Sequence, residues 1–355
     1  MATNQPFGKF VFIWKVPELM SGNAQQIGEA ALAAGIKTII VKFVNGKFVY
    51  TPAGYPSWGY NLRRQDVGLW QSLGLNVWGY VYLLGEDPQK EAQVAADEAL
   101  RLGLDGVALD VEIEFETAQI MASAESTLVQ FIQVKPHPSL GLVIKAILDS
   151  EIERRRIPAR ALMKSPFELQ ANPVGNAHKY MQIFQSIAPA MPTAFISFPL
   201  FRSPTTGGTW HNREMYVAFL QYCNFAMPMT YWWGSTKSDM LWMLDNSLKQ
   251  WAEIAHGKPI LPIGRLYTGD GGTATAGTIA AFGKELHTRG LIGGGGWRFG
   301  TGIVNADWWN AFTNWPKWQN GQPPGPPTVP LDEWARQLDS WAREQGYTGP
   351  QPPQS

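Results

Sequence analysis

Eight short runs rich in β-branched and aromatic residues recur along the chain, and segments of helical period separate most of them. The strand-like runs are KFVFIWKV from Lys9, KTIIVKFV from Lys37, NVWGYVYLL from Asn76, GVALDVEIE from Gly106, AFISFPLF from Ala194, FAMPMTYWW from Phe225, PILPIGRLY from Pro259 and LIGGGGWRF from Leu291. Between them lie NAQQIGEAALAAG, PQKEAQVAADEALRLG, SDMLWMLDNSLKQWAEIAHG and TIAAFGKELHTRG, each closing on a glycine as helix C-termini commonly do. Crossover helices return the chain to the same end of a sheet, so repeated strand-helix units make parallel strands, and eight of them predict an α/β fold, a single (β/α)8 TIM barrel. With 355 residues, 45% of them hydrophobic, the chain has enough apolar material for one large barrel, expected over 1–318.

The alternation breaks between Thr117 and Thr193, a stretch longer than one crossover helix requires. It contains VKPHPSLG, DSEIERRRIPAR and SPFELQANPVGN and is expected as an elaborated excursion after strand four, on the face where barrel active sites sit. Its basic run reads as a solvated helix face. After Trp318 the sequence turns to QNGQPPGPPTVP, an extended spacer. Then Leu331, Trp334, Leu338 and Trp341 recur at helical spacing. Residues 319–355 are therefore expected as a Pro/Gly-rich linker with one short amphipathic helix that folds back on the barrel or docks on a protein partner.

Composition removes several function classes. The 29 basic and 29 acidic residues cancel, which gives no global field for nucleic acid or an anionic membrane. A single cysteine, Cys223, excludes an internal disulfide and any multi-thiolate zinc site. His211, His256 and His287 fall on separate elements without an i, i+4 pair, so neither a cofactor nor a metal is expected; a hard cation on an acidic row is the weaker reading. No run approaches the ~20 apolar residues that span a bilayer. The N-terminus lacks the long apolar segment and cleavage site of a secretion signal, so a soluble product is expected, released by lysis or carried on a phage if its target is a cell wall. GGTATAG and GLIGGGGWRFG lack the lysine of a phosphate loop; the GGGG run reads as a strand closely approached by a ligand or a helix.

The stretch DGVALDVEIEFE, Asp105 to Glu116, carries five carboxylates among apolar residues. Strand alternation sends Val107, Leu109, Val111, Ile113 and Phe115 towards the helices. Ala108, Asp110, Glu112, Glu114 and Glu116 are then expected to face the barrel axis and its C-terminal mouth. A row of acids alone is costly through mutual repulsion unless protons, hydrogen bonds or a ligand meet it, which favours a site over a solvated edge strand. Crowded carboxyls separate in pKa, the division of labour that glycosidic bond cleavage needs. Sixteen Trp supply core filling and candidate planes for sugar rings.

These residues carry a resemblance. DGVALDVE resembles the strand-four signature D-G-x-D-x-D-x-E of family 18 glycoside hydrolases, the chitinase-like barrels: Asp105, Gly106, Asp110 and Glu112 match, and Ala108 stands at the first inner Asp. Met229 to Tyr231 resembles the family's Met-x-Tyr on strand six, with Trp232 following where the family carries Asp or Asn. Trp297 resembles its sugar-site tryptophan on strand eight. More distantly the chain is similar to phage-associated and bacterial barrels and to family 25 lysozymes, whose Asp-x-Glu pair fits DVE. Strand one, however, offers Trp14, Lys15 and Glu18 instead of that family's Asp.

The resemblance implies Glu112 as proton donor, Asp110 as the group that orients an N-acetyl or stabilises its cyclised cation, and Tyr231 as hydrogen-bond partner of the amide oxygen. Glu114 is the rival acid. Trp232, Trp233 and Trp297 are candidate sugar platforms, with Glu116 and Arg265 as further substrate contacts. Asp270 is a candidate charge partner whose commoner use is loop capping. The expected partner is a polysaccharide or oligosaccharide containing N-acetylhexosamine, such as peptidoglycan or chitin. Ala108 and Trp232 motivate the alternative, a catalytically silent glycan-binding or structural barrel within a larger assembly such as a virion tail.

Overall fold

The computed structural model describes residues 8–116 and 172–318. Eight parallel strands form a ring: β1 (Gly8–Ile13), β2 (Thr38–Asn45), β3 (Asn76–Leu83), β4 (Gly106–Val111), β5 (Thr193–Ser197), β6 (Phe225–Pro228), β7 (Ile263–Arg265) and β8 (Gly293–Trp297). They are ordered β6-β5-β4-β3-β2-β1-β8-β7, and isolated parallel bridges, Ala226 to Ile260 and Met229 to Ile263, close β6 onto β7. All eight sequence-predicted strands are therefore present and form the predicted (β/α)8 barrel.

Several strands end earlier than their apolar runs. KFVFIWKV leaves the sheet after Ile13 and enters a 3-10 turn at Val16–Glu18 that carries Pro17. The β6 run stops at Pro228, and β7 starts only after Pro262, both residues without an N–H for the ladder. The most consequential shortening is at β4, which ends at Val111; residues 113–116 are helical. The inner face of the strand thus carries Ala108 and Asp110, with Glu112 just past its end, whereas Glu114 and Glu116 sit on a turn of helix.

The described helices are α1 (Ala24–Ala33), α2 (Arg64–Ser72), α3 (Pro88–Leu102), α4 (Pro173–Ile187), α5 (Arg213–Tyr222), α6 (Lys237–Ala255), α7 (Ala276–Thr288), α8 (Phe299–Val304) and α9 (Ala306–Thr313). Their starts are written locally: Asp87 accepts from the Lys90 N–H, Asn212 from that of Met215, and Thr236 with Asp239 forms a reciprocal capping box. Gly103 ends α3 in the left-handed conformation at φ 73°, which a side chain would disfavour. Of the excursion expected between Thr117 and Thr193, residues 117–171 lie outside the described residues and α4 occupies most of the remainder; the tail over 319–355 also lies outside them. No described helix is long and apolar enough to cross a membrane.

Two cores follow from strand alternation. Val11, Ile39, Val81, Leu109 and Phe195 face outward and pack beneath the helices, as at Val107 and Val111. Phe10, Phe12, Trp78, Tyr80, Phe225 and Met227 face inward and plug the barrel. The GGGG run makes room on both sides of β8. A Cβ at Gly295 would lie 2.1 Å from the Phe10 ring, and one at Gly294 would lie 2.2 Å from Leu286 of α7. The neighbouring strand and a helix both approach this strand closely. Lys9, 4% exposed on the outer side of β1, donates from Nζ to the carbonyls of Ala34 after α1 and Thr313 of α9, 2.8 Å each, where helix C-termini favour a cation.

Gly295→Ala should destabilise the protein by about 1–3 kcal/mol, because the plug has no free volume to yield. Gly68→Ala, on the exposed face of α2 with nothing within 4 Å, should be neutral or stabilising. Denaturant unfolding of both variants measures the contrast, and equal effects would contradict this view of the plug.

Candidate active site

Asp110 is placed by a ladder, pairing with Tyr82 of β3 on one side and Ile196 of β5 on the other. Ser197 Oγ donates to the Val111 carbonyl at 2.6 Å, which pins the backbone just before Glu112. At the other end of the motif Asp105 is structural, accepting from the Val77 N–H at 2.8 Å and from Gln71 Nε2 at 3.2 Å. Strand alternation and these ties aim Asp110 and Glu112 into a cavity of about 160 Å³ at the C-terminal mouth of the barrel. Tyr231, Trp297, Tyr267 and Asp270 line the same cavity, and the plug residue Phe12 forms part of its wall.

The plug closes this cavity from below and shields the carboxyls on its wall from bulk water. Desolvation raises the pKa of Asp110, which is 7% exposed, well above the usual carboxylate range; Lys42 opposes the rise and Glu114 adds to it. Glu112 is raised too, by burial first, then by the negative charges of Asp110, Glu114 and Asp270. Burial also keeps the Tyr231 phenol protonated, so it is a hydrogen-bond donor throughout the physiological range. Two carboxyls favouring protonation, a phenol donor and an indole face are the equipment for protonating a leaving oxygen and holding a developing cation.

Other expected residues are sorted differently. Glu114 accepts from Tyr82 Oη at 2.8 Å and does not line the cavity. Glu116 lies 3.2 Å from Nδ1 of His211, whose ring stacks on Phe198, and it too stays outside the cavity wall. Both displacements follow from the early end of β4, since a helical turn no longer points alternate residues down the axis. Arg265 is 1% exposed and belongs to the scaffold: its Nη1 donates to the carbonyls of Gly269 and Gly272, and its guanidinium lies 4.4 Å from the Tyr267 ring. It thereby holds the hairpin that presents Asp270. Asp270 itself is exposed at the cavity and accepts from Tyr267 Oη, a more central place than a loop cap.

The tryptophans separate by burial. Trp297 walls the cavity, its ring 5.6 Å from that of Phe12 and 5.8 Å from that of Tyr80. Trp232 is 0% exposed, in the outer core against Phe282 of α7; it packs and cannot be a sugar platform. The backbone after Tyr231 turns this residue away from the mouth. Trp233 is 48% exposed and lies outside the cavity wall, between Trp210 at 6.1 Å and Trp242 at 5.9 Å, the three forming a surface row of indoles. The row adjoins the Asp270 hairpin, because a Cβ at Gly271 would lie 3.7 Å from Trp233.

Sequence reasoning overlooked several neighbours. Lys42, Tyr80 and Tyr82 face the mouth from β2 and β3, and Tyr267 comes from the loop after β7. The signal was present for three of them: Lys42 interrupts an apolar strand, and Trp78, Tyr80 and Tyr82 alternate through NVWGYVYLL with polar tips that a closed barrel must place inside. A second cavity of about 620 Å³, lined by Trp14, Arg298, Thr301 and Trp308, shares Tyr267 and Trp297 with the first. Tyr267 and Trp297 stand between the two cavities as their common wall. Among the described residues no group of three or more His, Cys, Asp or Glu gathers as a metal site.

No protein-family model matches the chain, and no curated sequence is significantly similar to it. Its fold, in contrast, is shared. The catalytic domain of a hyperthermophilic chitinase from Pyrococcus furiosus aligns over 98% of this chain and 99% of its own, with a TM-score of 0.51 and 11% identity. The spore cortex-lytic enzyme SleL of Bacillus megaterium aligns over 87% of this chain and 74% of its own, with a TM-score of 0.51 and 10% identity. A plant class V chitinase mutant from Cycas revoluta, solved with (GlcNAc)3, covers 86% of this chain and 98% of its own at a TM-score of 0.51 and 10% identity. The chain has the barrel fold of family 18 chitinases and related glycoside hydrolases.

The raised carboxyls have a consequence for stability. Below the ordinary carboxylate pKa of about 4 the protons are bound in both folded and unfolded states, and burial of the pair adds no penalty. As pH rises past that value the unfolded chain loses its protons first, so the fold is progressively disfavoured until the buried pair ionises. Asp110→Asn and Glu112→Gln should therefore raise Tm by a few degrees at pH 8 to 9, on the order of 1 kcal/mol or more, with little change at pH 4. Thermal unfolding across that range decides it: a gain independent of pH, or none, would contradict burial as the cause of the raised pKa values.

Proposed function

We propose that the protein is a glycoside hydrolase acting on a glycan that contains N-acetylhexosamine, with Glu112 as the general acid. The observation that carries this reading is the convergence of Asp110, Glu112, Tyr231 and Trp297 on one desolvated cavity at the C-terminal mouth of the barrel. Glu112 gives its proton to the glycosidic oxygen as the bond to the anomeric carbon breaks. The substrate's own acetamide oxygen closes on that carbon, Tyr231 hydrogen-bonds the amide oxygen, and the Asp110 carboxylate stabilises the positive charge that spreads onto the amide nitrogen. Water then opens the cyclic cation, returning a proton to Glu112. Trp297 offers the sugar an apolar plane beneath this chemistry.

The likeness in fold to chitinases and to a spore cortex-lytic enzyme supports a glycan substrate and is compatible with chitin-like and peptidoglycan-like polymers alike. A barrel that binds glycan without cleaving it is the second reading. It is favoured by Ala108, which is fully buried in the plug and offers no carboxyl at the level below Asp110.

Turnover of fluorogenic N-acetylglucosamine oligomers and of purified peptidoglycan tests the assignment. Glu112→Gln should lower kcat by roughly 10²–10⁴-fold, the usual contribution of a general acid, whereas Glu114→Gln should cost only a few-fold. The reverse ranking would move the acid to Glu114. Binding without any wild-type turnover would favour the silent barrel.

The surface row of indoles makes a separate prediction. Trp233→Ala, measured on polymer and on a short oligomer side by side, should weaken polymer binding several-fold, the loss of one stacking plane, and leave the oligomer's KM unchanged. Equal loss on both would place Trp233 at the bond that is cleaved.

A further inference from the structure

Two carboxyls one strand-step apart, both desolvated, pose a problem for the proposed reaction. If burial protonates both, there is a donor and no anion; if both ionise, there is an anion and no donor. We propose that Lys42 is the positioning residue that divides the pair, holding Asp110 as the anion while the proton remains on Glu112. This inference rests on the hydrolase reading above and adds a residue that no strand-four motif contains.

The geometry begins with strand phase. On β2, Ile40 belongs to the plug, and Lys42 is the next inward residue towards the mouth. The ladders place Lys42 level with Tyr80, and Tyr80 level with Ala108, while Tyr82 and Asp110 stand one step higher. Lys42 is 8% exposed, and its ammonium is enclosed by aromatic rings: Tyr50 at 4.7 Å, Tyr82 at 5.0 Å and Tyr80 at 6.0 Å. Ring faces attract a cation without neutralising it. The charge is thus fixed in place and still able to act on the carboxyls. Asp110 Oδ1 and Tyr80 Oη, both buried, have no hydrogen-bond partner among the described residues, so this flank of the cavity has unmet polar capacity.

The surrounding charges are distributed unevenly over the pair. Against Asp110, Lys42 is the foremost influence after burial, ahead of Glu114. Glu112 feels Asp110, Glu114 and Asp270, all negative, before it feels Lys42. Burial lowers the pKa of Lys42, and of the two carboxyls that oppose this fall Asp110 acts ahead of Glu112. The other titratable groups facing the pair are phenols that burial keeps neutral: Tyr80 and Tyr82 from β3, Tyr231 after β6 and Tyr267 after β7. Arg298, after β8, acts on Tyr80 and Tyr50. Glu114 acts on both carboxyls, but Lys42 is the foremost charge acting on Asp110, and Asp270 adds its negative charge at Glu112, which makes Asp110 the site that gives up its proton.

The test compares Lys42→Met, which removes the charge at similar length, with Lys42→Arg, which keeps it. Carbon-13 labelling of aspartate carboxyls, with Asp110→Asn to assign the signal, reads the titration of Asp110 directly and needs no turnover. The Asp110 midpoint should rise by about one pH unit or more in Lys42→Met and stay within about a few tenths of wild type in Lys42→Arg. The acid limb of kcat/KM on N-acetylglucosamine oligomers should move with it. Lys42→Gln repeats the comparison should Lys42→Met fail to fold. An unmoved midpoint in a folded neutral variant overturns the proposal whatever the activity. A shifted midpoint in a protein that cleaves none of these glycans would uphold the division of charge and sink the hydrolase reading instead.

Discussion

The aromatic plug inside the barrel is the interaction on which the rest depends. Phe10, Phe12, Trp78, Tyr80 and Phe225 fill the ring of parallel strands, and β8 is bare at Gly295 where the Phe10 ring fits. A filled barrel is a packed core and not a pore. Any polar group on the next level up therefore stands on an apolar floor and faces solvent through the mouth. Burial against this floor is the largest cause of the raised pKa values of Asp110 and Glu112, and the neighbouring carboxylates add to it.

Above that floor the site depends on who approaches from the neighbouring strands. β2 supplies a lysine caged by tyrosine rings, β8 an indole wall, and the hairpin after β7 a further carboxylate held in place by a buried arginine. The acids alone would repel one another or share protons without distinction. With a cation on one flank and carboxylates on the other, the two positions cease to be equivalent, and a proton donor and an anion can coexist a strand-step apart.

The tryptophans illustrate how little residue type decides by itself. Trp232 and Trp233 are adjacent, yet one packs against Phe282 beneath a helix and the other stands in a surface row with Trp210 and Trp242. The difference is the direction of one Cα–Cβ bond relative to the wall of the barrel. Trp297, on a strand that runs to the mouth, lines the cleft.

The sequence by itself determined the architecture and the inner face of β4. Strand and helix periods are local properties, written in residues two or four apart, so eight strands, the helical segments with their closing glycines and the inward phase of Ala108, Asp110 and Glu112 were legible without a structure. It did not determine where β4 ends: alternation continues through Glu114 and Glu116, but the chain turns helical after Glu112, so these acids face Tyr82 and His211 instead. Nor did it reveal the company the acids keep. Lys42 is 68 positions from Asp110, Asp270 is 160 positions away, and only the closing of the ring brings them to one mouth. Proximity across a barrel is set by strand register and ring order, which are properties of the whole fold, and the charge balance at Asp110 and Glu112 was decided there.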